Sequence, residues 1–130
     1  MILLDTNVLI DLDRYRFDTG EAYGASILSR AELEFGVQVA PSAESMAVRA
    51  RRLTELDDRF RWIEFDVACT RSYGIVAAGE RATGARVRSK DALIVAQAHR
   101  HGAAVMTANL NDFRPFDHLV QVLPPAPRTT

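Results

Sequence analysis

Four carboxylates, Asp5, Glu32, Asp91 and Asp112, are the residues of this chain best suited to carry a reaction together. Gathered in one place they would repel, because like charges a few ångströms apart raise one another's pKa. A divalent cation relieves that repulsion, and Mg2+ and Mn2+ favour oxygen ligands in octahedral geometry with several waters retained. A site of this kind activates water, neutralises a phosphodiester and stabilises a leaving oxygen. No competing ligand set is evident. His99 and His101 are two residues apart on an expected helix and so face different ways, His118 stands alone, and Cys69 is the only cysteine.

Each acid also has a purely structural explanation. Asp5 could open a turn. Ser29-Arg30-Ala31-Glu32 fits a capping box, in which Ser29 and Glu32 satisfy backbone donors reciprocally. Asp91 complements a helix N-terminus, where negative charge is favoured, and Asp112 in Asn109-Leu110-Asn111-Asp112 fits ordinary turn chemistry. What sets the four apart from scattered acids is the set of elements that carry them.

Ile2 to Leu4 reads as a short strand, followed by a helical stretch from Asn7 to about Asp13. Ala25 to Leu28 is a second strand candidate leading into a helix from Arg30 to Val39, which places Glu32 in its first turn. Met46, Ala50, Leu53, Leu56 and Phe60 recur at helical steps and give one apolar face to a helix starting near Ser42. Trp62 to Phe65 reads as a strand, and Asp66 stands where it would cap a helix running to about Thr83, closed by Gly84. Ser89 is the expected N-cap of a helix from Lys90 to His101, with Gly102 as its terminator. Ala103 to Thr107 and Leu119 to Leu123 are the last strand candidates.

Strands separated by helices imply parallel pairing through right-handed crossovers. The expected architecture is therefore α/β, a three-layer sandwich with a parallel sheet of roughly four or five strands between helices. Ligands of open α/β sheets bind beyond the carboxyl ends of the strands, where the strand order reverses. Asp5, Glu32 and Asp112 follow strands and fall on that edge, and Asp91 joins them if its helix begins there.

Composition narrows the class. The chain has 130 residues, the size of one domain with a single core. Hydrophobic residues make up 48% and charged residues 25%, as in ordinary globular domains. No apolar run approaches the ~20 residues that span a bilayer. Asp5 interrupts the first apolar run and no basic segment precedes it, unlike a secretory leader. The lone Cys69 cannot form an internal disulfide, which suits a reducing compartment, and it reads as a small buried hydrophobe. A cytoplasmic protein with no membrane association is expected.

The net charge of −1 does not mark a nucleic-acid binder in bulk. All but one of the sixteen basic residues are arginine, with groups at Arg49, Arg51 and Arg52, at Arg59 and Arg61, and at Arg86, Arg88 and Lys90. The planar guanidinium suits phosphate, yet solvated helix faces account for most such groups. The groups at Arg49, Arg51 and Arg52 and at Arg86, Arg88 and Lys90 are the candidate phosphate contacts. At the far end, Pro124-Pro125-Ala126-Pro127 suits neither helix nor sheet ladder, so residues 124–130 are expected to fray beyond a domain of residues 1–123. A phosphotransfer enzyme with Asp5 as nucleophile is a poorer fit. A resemblance to haloacid-dehalogenase-like phosphatases would imply a second Asp two residues on, where Asn7 stands, and one to receiver-type phosphoacceptor domains a lysine late in the sheet, whereas the only lysine is Lys90.

Four segments resemble, in order, the motifs of PIN-domain proteins. Ile2-Leu3-Leu4-Asp5-Thr6-Asn7-Val8-Leu9-Ile10 is similar to their opening strand, which ends in Asp-Thr-Asn or Asp-Thr-Ser. Ser26-Ile27-Leu28-Ser29-Arg30-Ala31-Glu32-Leu33-Glu34-Phe35-Gly36 is similar to the second, with its Glu-Leu-x-x-Gly frame. Ser89-Lys90-Asp91-Ala92-Leu93-Ile94-Val95-Ala96-Gln97-Ala98 and Thr107-Ala108-Asn109-Leu110-Asn111-Asp112-Phe113 resemble the third and fourth. Together they span nearly the whole chain, and the size resembles the VapC-like toxins of bacterial toxin–antitoxin pairs.

The resemblance implies a Mg2+- or Mn2+-dependent endoribonuclease that acts on RNA, forms a homodimer and is inhibited by a cognate antitoxin protein. It implies Asp5, Glu32, Asp91 and Asp112 as catalytic metal ligands, with Thr6, Asn7, Thr107 and Asn109 as supporting polar residues. Asn109 is close enough in sequence to share the role of Asp112. Glu34, two residues from Glu32, faces elsewhere on the helix, and the motif frame selects Glu32. The stretch between Asp5 and Glu32 is short for the family, which implies a trimmed helical hairpin. The alternative is a catalytically inactive PIN-like module that only binds RNA or an antitoxin.

Overall fold

The computed structural model describes residues 1–87 and 89–129, with the side chain of Ser89 also outside the description. Arg88, one of the candidate phosphate contacts, and the capping side chain expected of Ser89 therefore lie outside the described residues.

The parallel sheet runs through β1 (Ile2–Leu4), β3 (Tyr23–Ser26), β4 (Trp62–Ile63), β5 (Ala104–Met106) and β6 (Val122–Leu123), in the spatial order β4-β3-β1-β5-β6. β1 is central, pairing Leu3 with Gly24 on one side and with Val105 on the other. The chain first builds outward from β1 to β3 and β4, then crosses back to add β5 and β6 on the opposite flank. The carboxyl end of β1 is thus the point where the winding direction reverses, the place where this architecture opens a crevice.

Alternation along β1 sends side chains to two separate cores. Leu3 and Val105 join Val76, Ala92, Val95, Phe113 and Phe116 on one face. Ile2, Leu4 and Met106 join Val8, Leu9, Leu12 and Leu56 on the other. The first face is covered by α4 (Val67–Ala82) and α5 (Ser89–His101), the second by α1 (Thr6–Ile10) and α3 (Ala43–Arg59). The result is the expected helix–sheet–helix sandwich. Among the described residues no helix is long and apolar enough to cross a membrane.

Local signals explain most boundaries. Ser42 caps α3 by accepting from the Ser45 N–H, and Asp66 caps α4 by accepting from the Cys69 N–H. Gly84 (φ 84°) and Gly102 (φ 62°) take the left-handed conformation after α4 and α5. Other boundaries differ from expectation. The second strand lies at Tyr23–Ser26, and α2 (Ile27–Gln38) begins at Ile27, because Ser26 turns out of the ladder to accept from the Leu28 N–H. Glu32 is consequently in the second turn of α2. β4 and β6 are shorter than their apolar runs, and Asp112 belongs to a short helix, α6 (Leu110–Phe113), instead of a loop.

The C-terminal segment also departs from expectation. It is not frayed: β7 (Ala126–Pro127) pairs antiparallel with β2 (Tyr15–Arg16), and the Arg128 N–H donates to the Arg14 carbonyl at 2.9 Å. Neighbouring residues of an antiparallel strand point their N–H groups in opposite directions. Pro127 precedes Arg128 and therefore occupies the outward register, where a missing donor costs nothing.

Candidate functional site

The site is built at the end of β1. The Asp5 N–H still bonds across to the Met106 carbonyl (2.9 Å), so Asp5 continues the ladder one step past the strand before the chain turns into α1. The residue is 9% exposed. Oδ1 accepts from the Thr6 N–H at 2.8 Å and Oδ2 from the Thr107 hydroxyl at 2.9 Å. Thr107 follows β5 directly, so the two central strands meet through this bond.

The direction of the Thr107 proton follows from its other partners. Its Oγ1 also accepts from the Asn109 N–H (3.0 Å) and lies 3.4 Å from the Asn7 Nδ2 donor. With donors already on it, the single hydroxyl proton is directed at Asp5. Asn7 turns its Oδ1 to the Ala108 N–H at 3.2 Å and so spans both loops. The Thr6 hydroxyl donates to Ser29 Oγ at 2.9 Å, both residues being buried, and this anchors the start of α1 to α2.

Glu32 reaches the same edge from α2, whose position is fixed from behind. Arg30 donates to both carboxylate oxygens of Asp57 on α3 (2.9 and 3.0 Å), and Trp62 Nε1 donates to Asp57 Oδ1 at 2.7 Å. The Arg30 guanidinium, with help from the indole, holds the Asp57 carboxyl below the usual carboxylate range. On the other side of the sheet the Gln97 amide donates to the carbonyls of Ile63 and Glu64 (2.8 and 3.0 Å), tying α5 to the end of β4. The N-terminal turn of α5 delivers Lys90 and Asp91.

All four acids line one cavity of about 250 Å³, together with Thr6, Asn7, Lys90 and Asn109. They share it without forming a tight cage. Among the described residues, no three acidic, histidine or cysteine side chains stand close enough to hold an ion directly between them. The donor set nevertheless suits a hard divalent cation, since it is made of carboxylate oxygens with room for water. The electrostatics point the same way. Burial raises the Asp5 carboxyl above its ordinary pKa, Glu32 and Asp112 add to the rise, and the bonds from Thr107 and Thr6 oppose it. Asp5 thus sits in a field that a positive charge would relieve.

A second, larger cavity of about 580 Å³ adjoins this one, sharing Thr6, Ile10, Glu32 and Lys90 with it. Phe35 (67% exposed) lines it, together with Leu33 and Arg49. Of the other described phosphate-contact candidates, Arg49 lines the larger cavity, whereas Arg86 is exposed and lines neither.

The capping-box alternative for Glu32 does not hold. Ser29 is not a cap: Ser26 takes that role, and Ser29 is buried against Thr6. Glu32 correspondingly faces Lys90, with Nζ 3.4 Å from Oε2, instead of closing a capping box. The available signal was the pair of serines three residues apart, of which only the first follows a strand.

A PIN-domain family model matches residues 2–119. Ribonuclease VapC4 of Mycobacterium tuberculosis is 34% identical over 117 residues, covering 85% of this chain and 87% of the relative. The plasmid stability protein StbB of Pseudomonas syringae pv. tomato is 32% identical over 126 residues, covering 87% of this chain and 91% of the relative. Among solved structures, FitAcB from Neisseria gonorrhoeae superposes with a TM-score of 0.78 at 26% identity, over 95% of this chain and 96% of that one. VapBC-5 from Mycobacterium tuberculosis, a member of the VapBC family of toxin–antitoxin systems, gives 0.78 at 25% identity over the same shares.

Proposed function

Since this chain belongs to the PIN-domain family, among the VapC-like ribonucleases, we propose that it is a metal-dependent endoribonuclease and the toxin of a toxin–antitoxin pair. The observation that carries this reading is the shared cavity at the reversal point of the sheet, with Asp5, Glu32, Asp91 and Asp112 on its walls. A bound Mg2+ or Mn2+ would supply the charge that lets water attack an RNA phosphodiester at neutral pH. Asp5 and Asp91 would hold the principal ion, directly or through water, and Glu32 and Asp112 would complete its surroundings. Thr107 would keep Asp5 ionised and oriented by donating its only proton, and Asn7 and the Asn109 N–H would fix Thr107 in turn. Thr6 would hold α1 and α2 in register through Ser29. Lys90, at the mouth of the cavity, and Arg86 and Arg88 on the approach to α5 would meet the RNA backbone.

The decisive assay is cleavage of RNA by the purified protein in EDTA, then with Mg2+ or Mn2+ restored. The proposal expects no cleavage in EDTA, recovery with either ion, and 5′-phosphate and 3′-hydroxyl ends. Cleavage in EDTA would overturn the mechanism. RNA binding without cleavage in either ion would favour the inactive binding module.

The antitoxin and the homodimer belong to the same proposal. The groove beside the acids, with Phe35 and Ile10 exposed, is suited to an apolar antitoxin segment that would close the site by occupying its mouth. Co-expression with the product of an adjacent small reading frame should restore growth, and Phe35→Asp should abolish that rescue while leaving cleavage intact. Sedimentation should give twice the chain mass. The proposed site of action is the cytoplasm.

A further inference from the structure

Lys90 is the only lysine of the chain and, among the described residues, the only cation lining the acid cavity. Its Nζ stands 3.4 Å from Glu32 Oε2, across the wall shared by the two cavities. Lys90 also occupies the first turn of α5, next to Asp91. A helix N-terminus disfavours positive charge. The ammonium therefore stands against its own helix dipole, facing an acid on another helix.

We infer that Lys90 is a built-in competitor of the divalent cation: it neutralises Glu32 in the free protein and must release it before Glu32 can turn to a bound ion. This rests on the metal-site reading above. The side chain of Lys90 is 74% exposed and that of Glu32 29% exposed. The flexible four-carbon stem lets the ammonium withdraw without backbone movement. An ion pair this exposed holds weakly, so the competition is worth about threefold in ion affinity. Glu32 thus faces a cation supplied by the protein itself, whereas Asp5 accepts from neutral donors, the Thr6 N–H and the Thr107 hydroxyl.

The test is Mn2+ binding to the full chain, followed by electron paramagnetic resonance of the free ion, with the metal alone as probe. Lys90→Met should tighten binding about threefold, and Lys90→Arg should keep the wild-type affinity. Arg100→Met makes the same change in net charge at the far, exposed end of α5, and should also match wild type. In a Glu32→Gln background, Lys90→Met should have no effect. The inference is overturned if Lys90→Met binds no tighter than wild type, if Arg100→Met tightens binding equally, or if the effect survives in Glu32→Gln. A wild-type chain that binds no Mn2+ would overturn the metal site itself, whereas binding unaltered by Lys90→Met overturns the competition alone.

Discussion

The two sides of the acid cavity are built on different principles. On the β1/β5 side Asp5 is buried, and each of its oxygens accepts a bond from a group fixed by backbone or by further bonds. On the α2/α5 side Glu32 is part-exposed and is met by a flexible lysine. The first side is set by the sheet before any ligand arrives, and the second can rearrange. Oriented dipoles that need no reorganisation are where a site gains most, so substitutions on the two sides should differ in size as well as in kind.

The largest effect is expected at Asp5. Asp5→Asn should lower RNA cleavage by about a thousandfold, the several kcal/mol that a correctly held cation contributes to the transition state. The fold should survive. Asn removes a buried charge but turns one donor toward either Thr6 N–H or Thr107, and these opposing terms leave stability nearly unchanged. Next comes Thr107→Val, which removes the proton directed at Asp5 and leaves the Asn109 N–H without its hydroxyl partner. Loss of such a supporting partner should cost about 10–100-fold in ion affinity or activity, and about 1–3 kcal/mol in denaturant unfolding. Glu32→Gln, on the adjustable side, should cost about tenfold at most in cleavage, the lower end of that range. If Glu32→Gln proves as damaging as Asp5→Asn, the contrast between the two sides fails.

The smallest effect is a pH dependence. Burial raises the folded pKa of Asp5 above its unfolded value. An acid of this kind penalises the fold when ionised, so the penalty is complete above the folded pKa. It shrinks as pH falls through that value and is gone below the ordinary carboxylate pKa of about 3.9. Chelated wild-type protein should therefore gain stability, relative to Asp5→Asn, as pH is lowered through this window. Parallel pH profiles for the two proteins would show that Asp5 carries no such penalty.

The same contrast explains what the sequence made legible. Asp5 follows a three-residue apolar strand and leads straight into a helix, so its place on the sheet edge could be read locally. The caps at Ser42 and Asp66 and the glycines at 84 and 102 are equally local signals. Ser26 and Ser29 were harder, because either can cap. The choice fell to Ser26 once Ser29 was buried against Thr6, a partner distant in sequence. Ile27 and Leu28 extend the apolar run of the strand but belong to α2, because the Ser26 side chain accepts from the Leu28 N–H and starts the helix there. The pairing of β7 with β2 had no local signal either, since proline argues against strands unless the outward register is known. The ion pair between Lys90 and Glu32 depends on how α5 and α2 meet at the cavity, and no spacing rule reports that.

The most direct test of the account is Mn2+ binding by wild type and Asp5→Asn, measured on the same preparation that is assayed for cleavage. The account predicts saturable binding by wild type that is lost, together with cleavage, in a folded Asp5→Asn. Equal Mn2+ affinity in the two proteins would contradict it.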